Sequence, residues 1–202
     1  MKLYFSTGAC SLTSHIILEE IGASYEAILA PTKTHKLPDG SDYYLVNPLG
    51  YVPLLVLDDG RQLREGPVIS QYLADLAPEK NLLPAAGNFE RYKTLEWLNF
   101  ISTEVHKNFS PLFNPAVPAE YKEMAKQKVL ERLSFTDSEL AGKDYLMGEQ
   151  YTIADTYLFN VTNWAPLVGV DIKGMANLNA LRARVAARPA TIAAMKAEGL
   201  IK

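Results

Sequence analysis

Leu3-Tyr4-Phe5-Ser6-Thr7-Gly8-Ala9-Cys10-Ser11-Leu12 leads a strand signal through a turn into the start of a helix. Leu3-Tyr4-Phe5 has the apolar and aromatic character of a buried strand. Gly8-Ala9-Cys10-Ser11 is the turn. From Leu12, apolar residues recur at Ile16, Ile17 and Ile21, one face of a helix, and Gly22 stands where the helix can stop. Working outward, Tyr25 to Leu29 suits a second strand, and the polar, turn-rich stretch from Pro31 to Gly40 a surface loop. Asp42 to Val46 fits a short helix ending before Pro48. Val52 to Leu57 is a buried strand, and Asp58-Asp59-Gly60 turns the chain into Gln62-Leu63-Arg64. A helix runs from about Pro67 to Leu76, with proline suited to the first helical position. The order is βαβ followed by ββα, which forms a small mixed sheet covered by helices over residues 1–80.

Beyond residue 80 the strand signal all but disappears. Residues 81–86 read as a linker, and residues 87–202 as an all-helical C-terminal domain. Its helices are expected over Phe89–Phe109, Ala119–Leu140, Thr152–Pro166 and Asn177–Ala187, with a short one after Pro189. The chain is therefore α+β in its first part and all-α in its second.

Composition narrows the function classes. A net charge of −3 gives no electrostatic reason to bind nucleic acid or an anionic membrane surface. No apolar run approaches the roughly 18 residues of a membrane span. The first residues enter a strand pattern directly, without the apolar stretch of a secretory signal. One cysteine cannot form an internal disulfide or a cysteine-rich metal site, and with three scattered histidines no metal is expected. A reducing cytoplasm is the natural setting.

Five features carry candidate chemistry. Cys10 sits where a helix begins, and unsatisfied N–H groups there stabilise a thiolate. Its position also suits an inert, small, buried thiol. Val52-Pro53 opens a strand with a residue that cannot donate to the ladder. A cis bond there would turn the Val52 main chain toward a ligand, while a trans bond would be an ordinary strand start. Glu65-Gly66-Pro67 precedes a helix, so the carboxylate and the helix terminus together suit an amino-acid head group, or the acid simply favours the helix dipole. Asn99, Thr103, His106 and Ser110, spaced by four, three and four, share one face of a continuous α-helix. His106 there could donate a hydrogen bond to a thiolate or move a proton, unless the face is merely solvated. Thr152-Ile153-Ala154-Asp155 reads as a capping box, a structural feature.

The order of these features resembles bacterial beta-class glutathione transferases. The resemblance rests on Gly8-Ala9-Cys10-Ser11-Leu12, Asn47-Pro48-Leu49-Gly50-Tyr51-Val52-Pro53, Glu65-Gly66-Pro67, Trp97-Leu98-Asn99-Phe100, Glu104-Val105-His106-Lys107 and the capping box, and extends to Glu198-Gly199-Leu200-Ile201-Lys202. It implies a thioredoxin-like domain followed by an all-helical domain, assembled as a homodimer, with glutathione as co-substrate. It implies that Cys10 lies beside the glutathione sulfur and that His106 approaches the same sulfur. Val52, ahead of a cis Pro53, would pair with the cysteinyl main chain, and Glu65 and Gly66 would hold the γ-glutamyl end. Asn99, Thr103 and Glu104 match further glutathione contacts, some from the neighbouring subunit. Phe109, Phe113, Trp164 and Val168 would line the pocket for a small hydrophobic electrophile. The chain departs from the family in carrying His35 where lysine is common near the glycyl carboxylate. Lys36 follows and can take over that role. Gly66 lacks the serine hydroxyl some relatives have.

Three functions follow. Glutathione thiolate attacks an electrophilic carbon; or Cys10 forms a mixed disulfide in thiol–disulfide, peroxide or reductive dehalogenation chemistry; or the apolar pocket carries hydrophobic ligands without catalysis.

Overall fold

The computed structural model describes every residue from Met1 to Lys202. It divides into two compact units, Met1–Lys80 with Arg188–Lys202, and Asn81–Ala187.

In the first unit, β1 (Lys2–Phe5) lies at the centre of a four-stranded sheet of order β2-β1-β3-β4. It pairs in parallel with β2 (Glu26–Leu29) and antiparallel with β3 (Leu54–Val56), which pairs antiparallel with β4 (Gln62–Leu63). The parallel pair needs a crossover, and α1 (Ser11–Ile21) supplies it. Gly22 ends α1 in the left-handed conformation, returning its N–H to the carbonyls of Leu18 and Glu19. Leu3, Ile16, Ile17, Leu55, Ile69 and Leu73 are fully buried, while Leu54 joins Tyr4, Ala30, Tyr43 and Val52 in a separate buried cluster.

Every residue of α1 from Ser11 to Leu18 is buried, although its apolar spacing covers only one face. The reason is that α1 packs against both α2 (Gly66–Leu76) and α8 (Pro189–Ala197). Residues 188–202 were expected in the helical domain, but their contacts join them to the first unit. Arg188 grips both carboxylate oxygens of Glu20 at 2.5 and 2.9 Å. Helical periodicity states that a segment buries a face, not which unit it is buried against.

In the second unit, α6 (Ile153–Thr162) is buried along its whole length and packs against α3 (Phe89–Phe100) and α7 (Ala176–Ala186). A helix buried on every side lies at the centre of its bundle, here with Asp155, Thr156, Asn160 and Thr162 buried along with its apolar residues. Asp155 reaches back to the Thr152 N–H at 2.8 Å and also accepts the Leu146 N–H at 2.8 Å. The expected linker is not loose at its start: the Leu82 carbonyl accepts the Ile153 N–H at 3.0 Å, and Leu82 and Leu83 are buried.

The single helix expected over residues 89–109 is three pieces. After α3, residues Ile101–His106 form a π-helical turn, and α4 (Lys107–Phe113) follows with Pro111 inside it. The Lys107 N–H bonds to Ser102, five residues back. Beyond Pro118, α5 (Ala119–Glu139) packs on α4. The helix expected to reach Pro166 ends at Thr162, and Ala165–Val168 form a short 3-10 turn. No helix is long and apolar enough to cross a membrane.

Candidate active site

In the first unit, two features judged separately from the sequence meet. Cys10 stands at the N-terminal boundary of α1, half-exposed, and its thiol donates to the Val52 carbonyl at 3.1 Å. The Val52–Pro53 bond is cis. Nearby polar groups brace this edge. The Tyr51 carbonyl accepts from the Tyr43 hydroxyl at 2.9 Å and from the buried Asn47 amide at 2.8 Å. The Asn47 side-chain oxygen in turn accepts from Arg64 at 3.0 Å. Composition and spacing gave no signal for Tyr43 or Arg64, because their work is to fix a loop rather than to touch a ligand.

The hydrogen bond to Val52 requires the protonated thiol. A carbonyl oxygen has two lone pairs, and accepting from Cys10 leaves room for a second donor.

Glu65 immediately precedes α2, and its carboxylate is exposed and makes no hydrogen bond within the protein. Its backbone has φ +68° and ψ 111°. A non-glycine residue held there costs about 1–3 kcal/mol, and such strain clusters at ligand sites. The first turn of α2 begins with Gly66, so a backbone N–H and the positive helix end lie next to a free carboxylate. That pairing suits a zwitterionic amino-acid head group. A Cβ added at Gly66 would meet only Pro53 Cγ, at 3.9 Å, an ordinary contact.

His35 and Lys36 divide differently from the way the sequence left them. The His35 ring stacks on Tyr44 with centroids 4.5 Å apart, and its Nδ1 is buried without a protein partner. Gly50, at φ +66°, lies so close that a Cβ there would be 3.0 Å from the His35 ring and 2.6 Å from Tyr44. His35 is thus packed into its loop, whereas Lys36 is exposed.

In the second unit, His106 closes the π turn. Its Nδ1 lies 2.6 Å from the Tyr157 hydroxyl, and Trp164 meets its ring nearly edge-on at 4.9 Å. Burial, with a smaller contribution from the Lys107 charge, pushes its pKa down to about 4. His106 is therefore a neutral imidazole at physiological pH. Whether Nδ1 accepts from Tyr157 or donates to it decides whether Nε2 is donor or acceptor. Phe109 and Phe113 also pack edge-on to Trp164, at 5.8 and 6.0 Å. Phe109 is fully buried, so it backs Trp164 instead of presenting a surface, while Phe113 is exposed and Val168 half-buried. Two concavities of this unit, about 590 and 620 Å³, have other linings.

The polar stripe is only partly preserved. Thr103 donates to the Asn99 carbonyl at 3.0 Å, and both side chains are exposed. The π turn breaks α-helical phase between Ile101 and His106, so the four-three-four spacing no longer defines one face. The Glu104 carboxylate is held by Arg132 at 2.8 Å. Sequence reading missed the π turn, Tyr157 and Arg132. An α-helical period cannot reveal a turn that departs from it.

Taken together, a thioredoxin-like unit with a thiol at its first helix, an edge beside a cis proline and a helix end next to an exposed carboxylate define the kind of protein to compare with. Residues 7–76 match the glutathione S-transferase N-terminal domain model and residues 100–189 the glutathione S-transferase C-terminal domain model. The chain belongs to the glutathione S-transferase family. It is 44% identical over 200 residues to the glutathione S-transferase GstA of Escherichia coli O157:H7, covering 99% of this chain and 100% of that one. Among solved structures, a sphingomonad glutathione S-transferase complexed with glutathione is 44% identical, with a TM-score of 0.95 and full coverage of both chains. A bacterial beta-class glutathione S-transferase of Sphingomonas chungbukensis is 43% identical, with a TM-score of 0.96 and full coverage of both. The particular kind is thus the bacterial beta class, with glutathione as co-substrate. The second family model ends at residue 189, close to where contacts return the chain to the first unit.

Proposed function

We propose that this protein conjugates glutathione to small hydrophobic electrophiles, the glutathione sulfur attacking carbon beside Cys10. The observation that carries this reading is the meeting of the Cys10 thiol with the Val52 carbonyl at 3.1 Å, next to a cis proline. Glutathione has a cysteinyl main chain to pair with that edge. Its γ-glutamyl ammonium and carboxylate match the free Glu65 carboxylate and the Gly66 end of α2. Lys36 is the better placed cation for the glycyl carboxylate, since His35 is stacked on Tyr44.

On the helical unit, His106 is a neutral imidazole, a form able to share a proton with a thiol. Asn99 and Thr103 offer exposed polar side chains on the same unit, and Arg132 orients the Glu104 carboxylate. Phe113, Trp164 and Val168 face the electrophile, with Phe109 behind them. The reaction then needs little covalent chemistry from the protein: it binds both reactants and stabilises the thiolate. The assembly is a homodimer acting in the cytoplasm, and its role is detoxification of electrophiles.

A half-exposed thiol with no second cysteine in the chain favours one further reading, in which Cys10 forms a mixed disulfide with glutathione during disulfide or peroxide reduction. Parallel assays of the intact protein and Cys10→Ala separate the two. Conjugation is expected to survive the substitution while disulfide reduction disappears. Loss of both would make Cys10 part of the conjugation machinery, and failure of the intact protein to bind glutathione would sink both readings.

A further inference from the structure

The C-terminal segment holds the turn that carries Cys10. The Glu198 side chain is completely buried. One carboxylate oxygen accepts the Gly8 N–H at 2.8 Å, and the other lies 2.9 Å from Nδ1 of His15, itself buried in α1. A buried carboxylate is strongly unfavourable unless such partners compensate it, so these contacts are specific requirements of the site. Gly8 lies two residues before Cys10, at φ +68°, and a Cβ added to it would touch Leu200 at 3.4 Å. Glu198 thus ties the C-terminal tail to this turn, with Leu200 close by.

Local structure explains why the tail reaches there. Gly199, at φ +71°, ends α8 with a left-handed turn, and the Leu200 N–H returns to the Met195 carbonyl at 2.9 Å. That stop leaves Glu198 on the α1 side and folds Leu200 back over Gly8. Arg188 anchors the other end of α8 to Glu20 of α1.

We propose that Glu198 is a positioning residue for Cys10: by holding the Gly8 N–H it fixes the turn that keeps the thiol on the Val52 carbonyl. His15 holds the second oxygen and so fixes the carboxylate's orientation. This rests on the reading of Cys10 as a glutathione-facing thiol, yet its first test does not involve glutathione.

The test is the rate at which iodoacetamide alkylates Cys10 in the folded protein, followed by intact mass, for the parent protein, Glu198→Ala and Glu198→Gln. Release of the turn frees the thiol from the carbonyl, so Glu198→Ala is expected to react about tenfold faster, the effect of losing one hydrogen bond. Glutamine retains an oxygen for the Gly8 N–H, so Glu198→Gln should alkylate at the parent rate. Its amide must then face His15 Nδ1, which moves the ring proton to Nε2, an atom already buried without a partner. Thermal stability of Glu198→Gln should therefore drop although thiol reactivity does not. An unchanged or slower rate in Glu198→Ala, or a Glu198→Gln rate like that of Glu198→Ala, overturns the proposal. Should Glu198→Ala fail to fold, Glu198→Asp, too short to reach both partners, takes its place with the same expectation. The second readout is the rate of mixed-disulfide formation with oxidised glutathione, expected to fall in Glu198→Ala. If the parent protein forms no such adduct while the alkylation rates behave as expected, positioning by Glu198 stands and the mixed-disulfide reading fails.

Discussion

The surroundings of Cys10 and of His106 are opposites. Cys10 lies on a polar turn at a helix start, half-exposed, with backbone groups as its neighbours. His106 is enclosed by Tyr157 and Trp164, and dehydration holds it neutral. The first setting keeps a group open to a ligand and sensitive to the backbone that carries it. The second keeps a group in one protonation state and insensitive to pH.

The largest effect is expected from breaking the scaffold on the His106 side. Asp155 is fully buried and accepts from the Leu146 and Thr152 N–H groups and the Thr152 hydroxyl. Asp155→Ala strands these donors at the start of α6, the helix that carries Tyr157. A loss of roughly 3 kcal/mol or more is expected in denaturant unfolding, from about 1–3 kcal/mol per stranded group. A loss under about 1 kcal/mol would mean that solvent reaches these donors and the unit is not dry.

Acid titration sharpens the same comparison. His106 has its folded value near 4, below the ordinary 6.5, so its contribution is present above pH 6.5 and is lost as pH falls toward 4. Asp155 is raised by burial from 3.8 to about 6, so the cost of its charge is felt above pH 6 and relieved as pH falls toward 3.8. The two slopes oppose each other between pH 4 and 6, and each amounts to about 3 kcal/mol over its range. Asp155→Asn removes the compensating half, so this variant should lose stability on acidification more steeply than the parent protein. Parallel curves for the two proteins would contradict the opposition. Conjugation activity should show no inflection from His106 between pH 5.5 and 8.

The smallest effect tests the Cys10 side. Gly66→Ser adds a hydroxyl where a Cβ meets only an ordinary contact, and the new donor lies at the α2 end proposed for the γ-glutamyl group. Calorimetry should show glutathione binding tightened by about 1 kcal/mol, the net worth of one hydrogen bond. Weaker binding would mean that the ligand's head group lies elsewhere.

Much of the first unit was legible because each of its elements is short and bounded by its own punctuation. Gly22 marks the end of α1, Asp58-Asp59-Gly60 the turn between β3 and β4, and Pro67 the start of α2. Cys10, Val52, Glu65 and Gly66 stand out in the sequence for the same reason, since they occupy ends of elements. The second unit was less legible. Asn99, Thr103 and His106 were placed on an α-helical face that the π turn interrupts, and nothing in an apolar period marks where a helix widens. Phe109 was read as pocket lining but is core, because an aromatic residue suits either place. His15 and Glu198 are far apart in sequence and buried together, and the polar face of α1 gave no sign that α8 would cover it.

One crystal structure of the protein grown with glutathione tests the central claim most directly. It should show the glutathione sulfur in contact with Cys10 Sγ, its cysteinyl main chain paired with Val52 and its γ-glutamyl end between Glu65 and Gly66. Glutathione bound with its sulfur away from Cys10, or away from the Val52 edge, would contradict the account.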